Sequence, residues 1–175
     1  GWFSGRLGTE GRRNHYGEGV ALLAQLEIEH DDDTTTTIAT DGTWQVAASE
    51  IVAADLYDGQ TTDARRVPGP GDWVAVVPAE PTVGRLEAPV GEPVRRVEEL
   101  APTEVLRSPS GRTILDFGQN LVGRVRMTVD AAAGTEIVLR HAEVLEHGEL
   151  CTRTLRTAEA TDRYIADGRG PVAWE

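Results

Sequence analysis

The chain has 175 residues, of which 39% are hydrophobic and 26% charged, a balance that supports one large or two small globular cores. Acidic residues outnumber basic ones 29 to 17 and the formal net charge is −12, which argues against nucleic acid or an anionic membrane as partner, because both need a cationic surface. Cys151 is the single cysteine, so neither an intramolecular disulfide nor a cysteine-based metal site can form, and no apolar run approaches the roughly 20 residues that span a bilayer.

Strand signals dominate from the start. Leu22, Ala24, Leu26 and Ile28 alternate with Leu23, Gln25, Glu27 and Glu29, the period of two expected of a half-buried strand. Asp31, Asp32 and Asp33 then offer the hard oxygen ligands that calcium takes, but Thr34 to Thr37 follow with no glycine-centred loop, and the pattern predicts a solvated hairpin tip instead. Asp41-Gly42, Asp58-Gly59, His147-Gly148 and Asp167-Gly168 are turn signals, since glycine enters positive φ at no steric cost.

Tyr57, Asp58, Asp63, Arg65 and Trp73 form a candidate sugar platform: an aromatic face stacks on the C–H surface of a pyranose while charged neighbours bind its hydroxyls. The alternative is that the aromatics are packing. Six of the nine prolines fall between Pro68 and Pro93, where they remove ladder donors and disfavour helix, so a connector is expected over residues 79–101. It separates a unit at residues 1–78 from one at 102–175.

In the second unit, Asp116, Gln119 and Asn120 flank Phe117-Gly118, and a tight bend there would gather a carboxylate and two amides suited either to sugar hydroxyls or to the backbone of a bulge. A kinase reading of Asp-Phe-Gly fails for want of the glycine-rich and His-Arg-Asp segments. Leu121, Gly123, Val125, Met127 and Val129 alternate with Arg124, Arg126 and Thr128 as another strand. Along Ile137, Leu139, His141, Glu143 and Leu145 the same alternation puts His141 and Glu143 on an apolar face, either as a functional pair or as groups bonded to a neighbouring strand. His15, His30, His141 and His147 lack metal-ligand spacing. The fold class these signals predict is all-β: two antiparallel, jelly-roll-like β-sandwich units.

Three runs carry a family resemblance: Ile114-Leu115-Asp116-Phe117-Gly118-Gln119-Asn120-Leu121-Val122-Gly123-Arg124-Val125, then His141-Ala142-Glu143-Val144-Leu145, then Leu155-Arg156-Thr157-Ala158. In this order and spacing the chain resembles the β-sandwich portion of the bacterial α-L-rhamnosidases, glycoside hydrolases that release terminal L-rhamnose. Upstream, Gly1-Trp2-Phe3-Ser4-Gly5-Arg6-Leu7-Gly8, Tyr16-Gly17, Leu22 to Leu26, Thr40-Asp41-Gly42-Thr43-Trp44 and Leu56-Tyr57-Asp58-Gly59-Gln60 resemble the second half of that family's N-terminal domain. Gln60 stands where many members carry Glu.

The resemblance implies a fragment, with the first sandwich truncated at its N-terminus and the catalytic carboxylates on a helical (α/α) barrel beyond Glu175 that acts by inversion. It implies an accessory, non-catalytic role, with that barrel and a rhamnosylated glycan or glycoside as partners and no cofactor. The alternative is an independent rhamnose-binding, lectin-like module, calcium-dependent as in some members of the family. A purely structural connector is the third reading.

Overall fold

The computed structural model describes residues 5–6, 11–15, 17–79 and 87–175; Trp2, Tyr16 and most of the Gly1–Gly8 run lie outside them. Among the described residues the chain is all-β, with one 3₁₀ turn at Arg153–Leu155. In chain order the strands are β1 (Gln25–Glu29), β2 (Thr35–Ala39), β3 (Gln45–Val46), β4 (Ile51–Asp55), β5 (Gly59–Asp63), β6 (Val74–Ala75) and β7 (Glu104–Arg107). They continue as β8 (Thr113–Asp116), β9 (Met127–Val129), β10 (Glu136–Arg140), β11 (Leu145–Glu146), β12 (Glu149–Leu150), β13 (Thr161–Ile165) and β14 (Val172–Trp174).

The period-two alternation builds β1 and β2 as an antiparallel hairpin. Leu26 faces Ile38 and Ile28 faces Thr36 on one side, while Glu27 opposite Thr37 and Glu29 opposite Thr35 lie on the other. At its tip Asp32 Oδ1 accepts the Thr34 N–H at 3.1 Å and the Thr34 hydroxyl at 2.6 Å, so the aspartate run closes a turn. The His147-Gly148 pair makes the two-residue turn between β11 and β12, with φ of 52° and 78°, the left-handed geometry that matches hairpin twist.

The central sheet has the order β10-β13-β5-β4. Its outer pairs are antiparallel, but β13 and β5 run parallel, a departure from the antiparallel expectation. The long connection between β5 and β13, which passes through the proline-rich stretch, supplies the crossover length that parallel neighbours require. The sheet therefore joins strands from both sides of that stretch. A bulge between Ile51 and Ala53 bends β4 at the sheet edge.

Ile137 and Leu139 of β10 turn to the same face as Tyr164 of β13, and against it packs the β9–β14 pair. Ala64, Val129, Tyr164, Ala166 and Trp174 are the buried cluster, with the Tyr164 and Trp174 rings 5.2 Å apart and tilted by 38°. The expected strand through Leu121 is shorter than its alternation suggested. Only Met127–Val129 finds a ladder partner, because β14 offers three residues.

The core is small for the length of chain. The exposed surface is 14072 Å², whereas a compact monomer of 18.9 kDa exposes about 8,300 Å². No large side chain among the described residues is fully buried. On the β7–β8 ribbon Leu106 and Ile114 share one face, and the opposed pair Val105 and Leu115 on the other is 67% and 47% exposed.

Candidate functional site

The turn between β4 and β5 is organised by one carboxylate. Asp55 Oδ1 accepts the N–H groups of Tyr57 at 2.8 Å and Asp58 at 3.2 Å, the local bond that makes Asp a turn former. Its Oδ2 accepts the Arg6 backbone N–H at 2.8 Å and Arg13 Nη1 at 3.3 Å. Asp58 in turn binds Arg6 Nη2 through Oδ1 and Arg13 Nη2 through Oδ2, the latter at 3.1 Å.

Onto this turn the chain folds the segment before β13. Arg6 Nη2 donates to the Thr157 carbonyl at 2.6 Å, the Ala160 N–H to the Tyr57 carbonyl at 2.9 Å, and the Thr161 N–H to the Asp58 carbonyl at 3.0 Å. The Gln60 N–H donates to Asp162 Oδ1 at 2.7 Å, and Asp162 Oδ2 lies 2.9 Å from His141 Nε2. The His141 N–H closes the circuit on the Ala160 carbonyl at 2.9 Å. Tyr57–Gln60 thus meets Thr157–Asp162 across about a hundred residues, and His141 joins the second segment through Ala160 and Asp162.

Gly59 sits where the two backbones touch. Its φ is +99°, and a Cβ there would lie 2.3 Å from the Thr161 carbonyl oxygen. Arg156 and Ala160 also hold positive φ, at 59° and 41°, conformations that persist only because the surrounding bonds fix them. Beside this clamp a groove of 540 Å³ opens on the sheet face, lined among others by Arg13, Val52, Asp58, Thr61, Glu159 and Arg163.

The sequence candidates are distributed unevenly around it. Asp58 and His141 belong to the clamp, and Tyr57 contributes its carbonyl while its ring stays exposed. Glu143 does not share a face with Ile137 and Leu139. β10 ends at Arg140, the His141 N–H is drawn to Ala160, and Glu143 sits exposed at the following bend. Asp63 and Arg65 form a two-pronged ion pair at the far end of β5, with Arg65 Nε and Nη2 at 2.8 and 2.9 Å from the carboxylate. Trp73 adjoins β6 in a separate ribbon, so the five-residue platform is not assembled in one place. Asp116 accepts the Gly118 N–H at 2.7 Å, closing a local turn at a glycine with φ of +75°, and Gln119 and Asn120 are exposed beside it.

Arg13, Asp55, Asp162 and Glu159 escaped the sequence reading. Asp55 had a usable signal, as an aspartate opening a turn into Asp-Gly. The other three meet the site only through long-range contacts.

The electrostatics point one way. Burial pushes the Asp55 carboxyl up, but the N–H groups of Arg6, Tyr57 and Asp58 and the charge of Arg13 outweigh it, and the net shift is below the ordinary value. The Arg65 hydrogen bond lowers Asp63, and backbone donation from Arg169 and Ser110 lowers Asp167 and Glu149. Among the described residues every resolved carboxylate shift is downward. Nor are three His, Cys, Asp or Glu side chains gathered there as metal ligands.

Among the described residues the scaffold is all-β, and its polar cluster is hydrogen-bonded largely to the chain's own backbone. Residues 1–98 match the α-L-rhamnosidase N-terminal domain, and residues 106–175 match the bacterial α-L-rhamnosidase concanavalin-like domain. The chain belongs to the bacterial α-L-rhamnosidase family. It is 43% identical to an α-L-rhamnosidase of Streptomyces avermitilis over all of this chain and 18% of that protein, and 33% identical to one of Alteromonas over 94% and 19%. The crystal structure of an α-L-rhamnosidase from Aspergillus terreus superposes with a TM-score of 0.92 at 38% identity, covering 100% of this chain and 21% of that one. The Streptomyces avermitilis enzyme, solved with L-rhamnose, superposes at 0.89. The chain spans about a fifth of the length of the curated relatives it matches.

Proposed function

We propose that this chain is the accessory β-sandwich region of an α-L-rhamnosidase and supports a helical (α/α) barrel that hydrolyses terminal α-L-rhamnosyl residues. Its two units, 1–78 and 102–175, work as one support because β5 pairs with β13. The observation that carries the proposal is that the chain matches the N-terminal and concanavalin-like domains of α-L-rhamnosidases and spans only about a fifth of the relatives it matches. Inverting hydrolysis needs two carboxyl groups about 6.5–9.5 Å apart, one of them kept protonated by a raised pKa. Asp55, tied to three backbone donors and to Arg13, is held ionised, the opposite of a general acid.

The test is hydrolysis of an aryl α-L-rhamnoside by the full-length protein carrying Asp55→Asn or Asp63→Asn. The expected result is a kcat close to that of the parent. Loss of turnover with the fold intact would overturn the proposal.

The groove favours a second reading, a rhamnose- or glycan-binding surface. Asp58, Thr61, Glu159 and Arg163 present acceptors and donors around 540 Å³, a size suited to a small ligand. Of the sequence candidates, Asp58 alone lines it. Calorimetry with L-rhamnose, with and without calcium, separates the two readings: heat that disappears in Glu159→Gln supports the second, and no heat removes it.

A further inference from the structure

The face of the central sheet turned away from the Tyr164 core carries a trough that crosses its four strands. Register sets Val138, Arg163, Thr61 and Ala53 side by side across β10, β13, β5 and β4, and the next row brings Arg140 beside Thr161. The 540 Å³ groove continues into a second of 210 Å³, and Glu159, Thr161 and Arg163 line both. Most charges along it are already satisfied. Arg13 is held by Asp55 and Asp58, and Arg163 reaches Glu136 through Nη1 alone, at 3.1 Å. Arg140 and Glu159 are the exceptions: among the described residues neither side chain has a hydrogen-bond or ion-pair partner, yet both line the 210 Å³ end of the trough together with Arg163. Arg140 and Arg163 are diagonal neighbours on adjacent strands, a spacing that long side chains bridge.

We propose that this end of the trough binds a carboxylated saccharide, a uronate unit, with Arg140 and the free edge of Arg163 on its carboxylate and Glu159 and the threonine hydroxyls on its ring hydroxyls. The proposal rests on the glycan-binding reading of the groove and names the class of sugar. Three features select that class. A neutral sugar is ordinarily held against an aromatic face, and among the described residues no aromatic ring lines the trough. A guanidinium takes a planar carboxylate through two parallel N–H bonds, stronger than neutral ones, and the single bond from Arg163 to Glu136 leaves its Nε and Nη2 for such a pair. In a chain of net charge −12 an anionic ligand is repelled over most of the surface, so its recognition needs a cation that no neighbour cancels, and Arg140 is one. Glu159 excludes a bare inorganic anion, which it would repel. A polyhydroxy acid satisfies both groups at once, giving hydroxyl donors to the carboxylate and its own carboxylate to the arginines.

Calorimetry on the full-length protein with a glucuronate-containing disaccharide and with its carboxyl-reduced counterpart, which differs only in the group at C6, reads the claim. The expected result is binding of the acidic sugar at least about tenfold tighter than of the neutral one, the difference one charge-assisted contact makes, and a preference that weakens as salt is added. Arg140→Gln should remove the preference, and Glu159→Gln should weaken both sugars. Equal affinity for the two sugars, no heat with either, or a preference that Arg140→Gln leaves untouched would overturn the proposal. L-Rhamnose titrated alongside keeps the two claims apart. Rhamnose heat that Glu159→Gln abolishes, with no preference for the acid, leaves the glycan reading standing and removes the uronate site; an Arg140-dependent uronate signal without rhamnose heat leaves the uronate site standing and removes rhamnose from the reading.

Discussion

Replacing Gly59 with alanine should loosen the joint between β5 and β13. Two costs combine. A residue with a Cβ at φ +99° pays about 1–2 kcal/mol for the left-handed backbone alone. The new methyl would also lie 2.3 Å from the Thr161 carbonyl oxygen and 2.7 Å from its carbon. Both are backbone atoms of a paired strand, and relieving such a contact costs about 1–3 kcal/mol more. Gly170 supplies the control, because its φ is +98° but a Cβ there meets nothing within 4 Å. Native-state hydrogen exchange in the full-length protein, read at the amides of residues 60–64 and 161–166, separates the terms. Gly59→Ala should lower the local opening free energy by about 2–5 kcal/mol, and Gly170→Ala by only the backbone cost of about 1–2. Equal effects at the two glycines would refute the close approach of β5 to β13.

Other perturbations follow from the same contacts. Asp162→Ala strands the Gln60 N–H and should cost about 1–3 kcal/mol in exchange protection of β5, whereas His141→Ala, which leaves that bond in place, should cost less. Tyr164→Ala empties the centre of the buried cluster and should cost about 3–5 kcal/mol, visible as a lowered unfolding midpoint. Asp55 has a folded pKa below its unfolded value, which is near 3.8, so its stabilising contribution is present above that value and lost as pH falls through the folded one. Urea midpoints followed through that acid range should fall in the parent, and Asp55→Asn, already lacking the charge, should show a shallower decline.

Much of the fold was legible because its signals are local. The alternation at Leu26 and Ile28, the Asp32 turn and the His147-Gly148 hairpin each depend on residues within a few positions of one another. The central sheet was not legible in the same way. Nothing near Gly59–Asp63 announces a parallel partner beyond the proline-rich stretch, and the pairing rests on contacts across about a hundred residues. The same distance hid the clamp. Leu56–Gln60 and Leu155–Ala158 stood out as separate runs, as did the Gly1–Gly8 run that holds Arg6, but nothing local says that they meet, and Asp162 lies in none of them. The alternation at Leu121 misled for the complementary reason: a strand needs a partner as long as its pattern, and β14 is short.

The central claim is that the reacting carboxylates lie outside this chain. Turnover of an aryl α-L-rhamnoside by the 175-residue chain alone, set beside the full-length protein at equal molarity, tests it most directly. The account predicts hydrolysis by the full-length protein and none by the chain; steady turnover by the chain, abolished by replacing one of its own carboxylates, would contradict it.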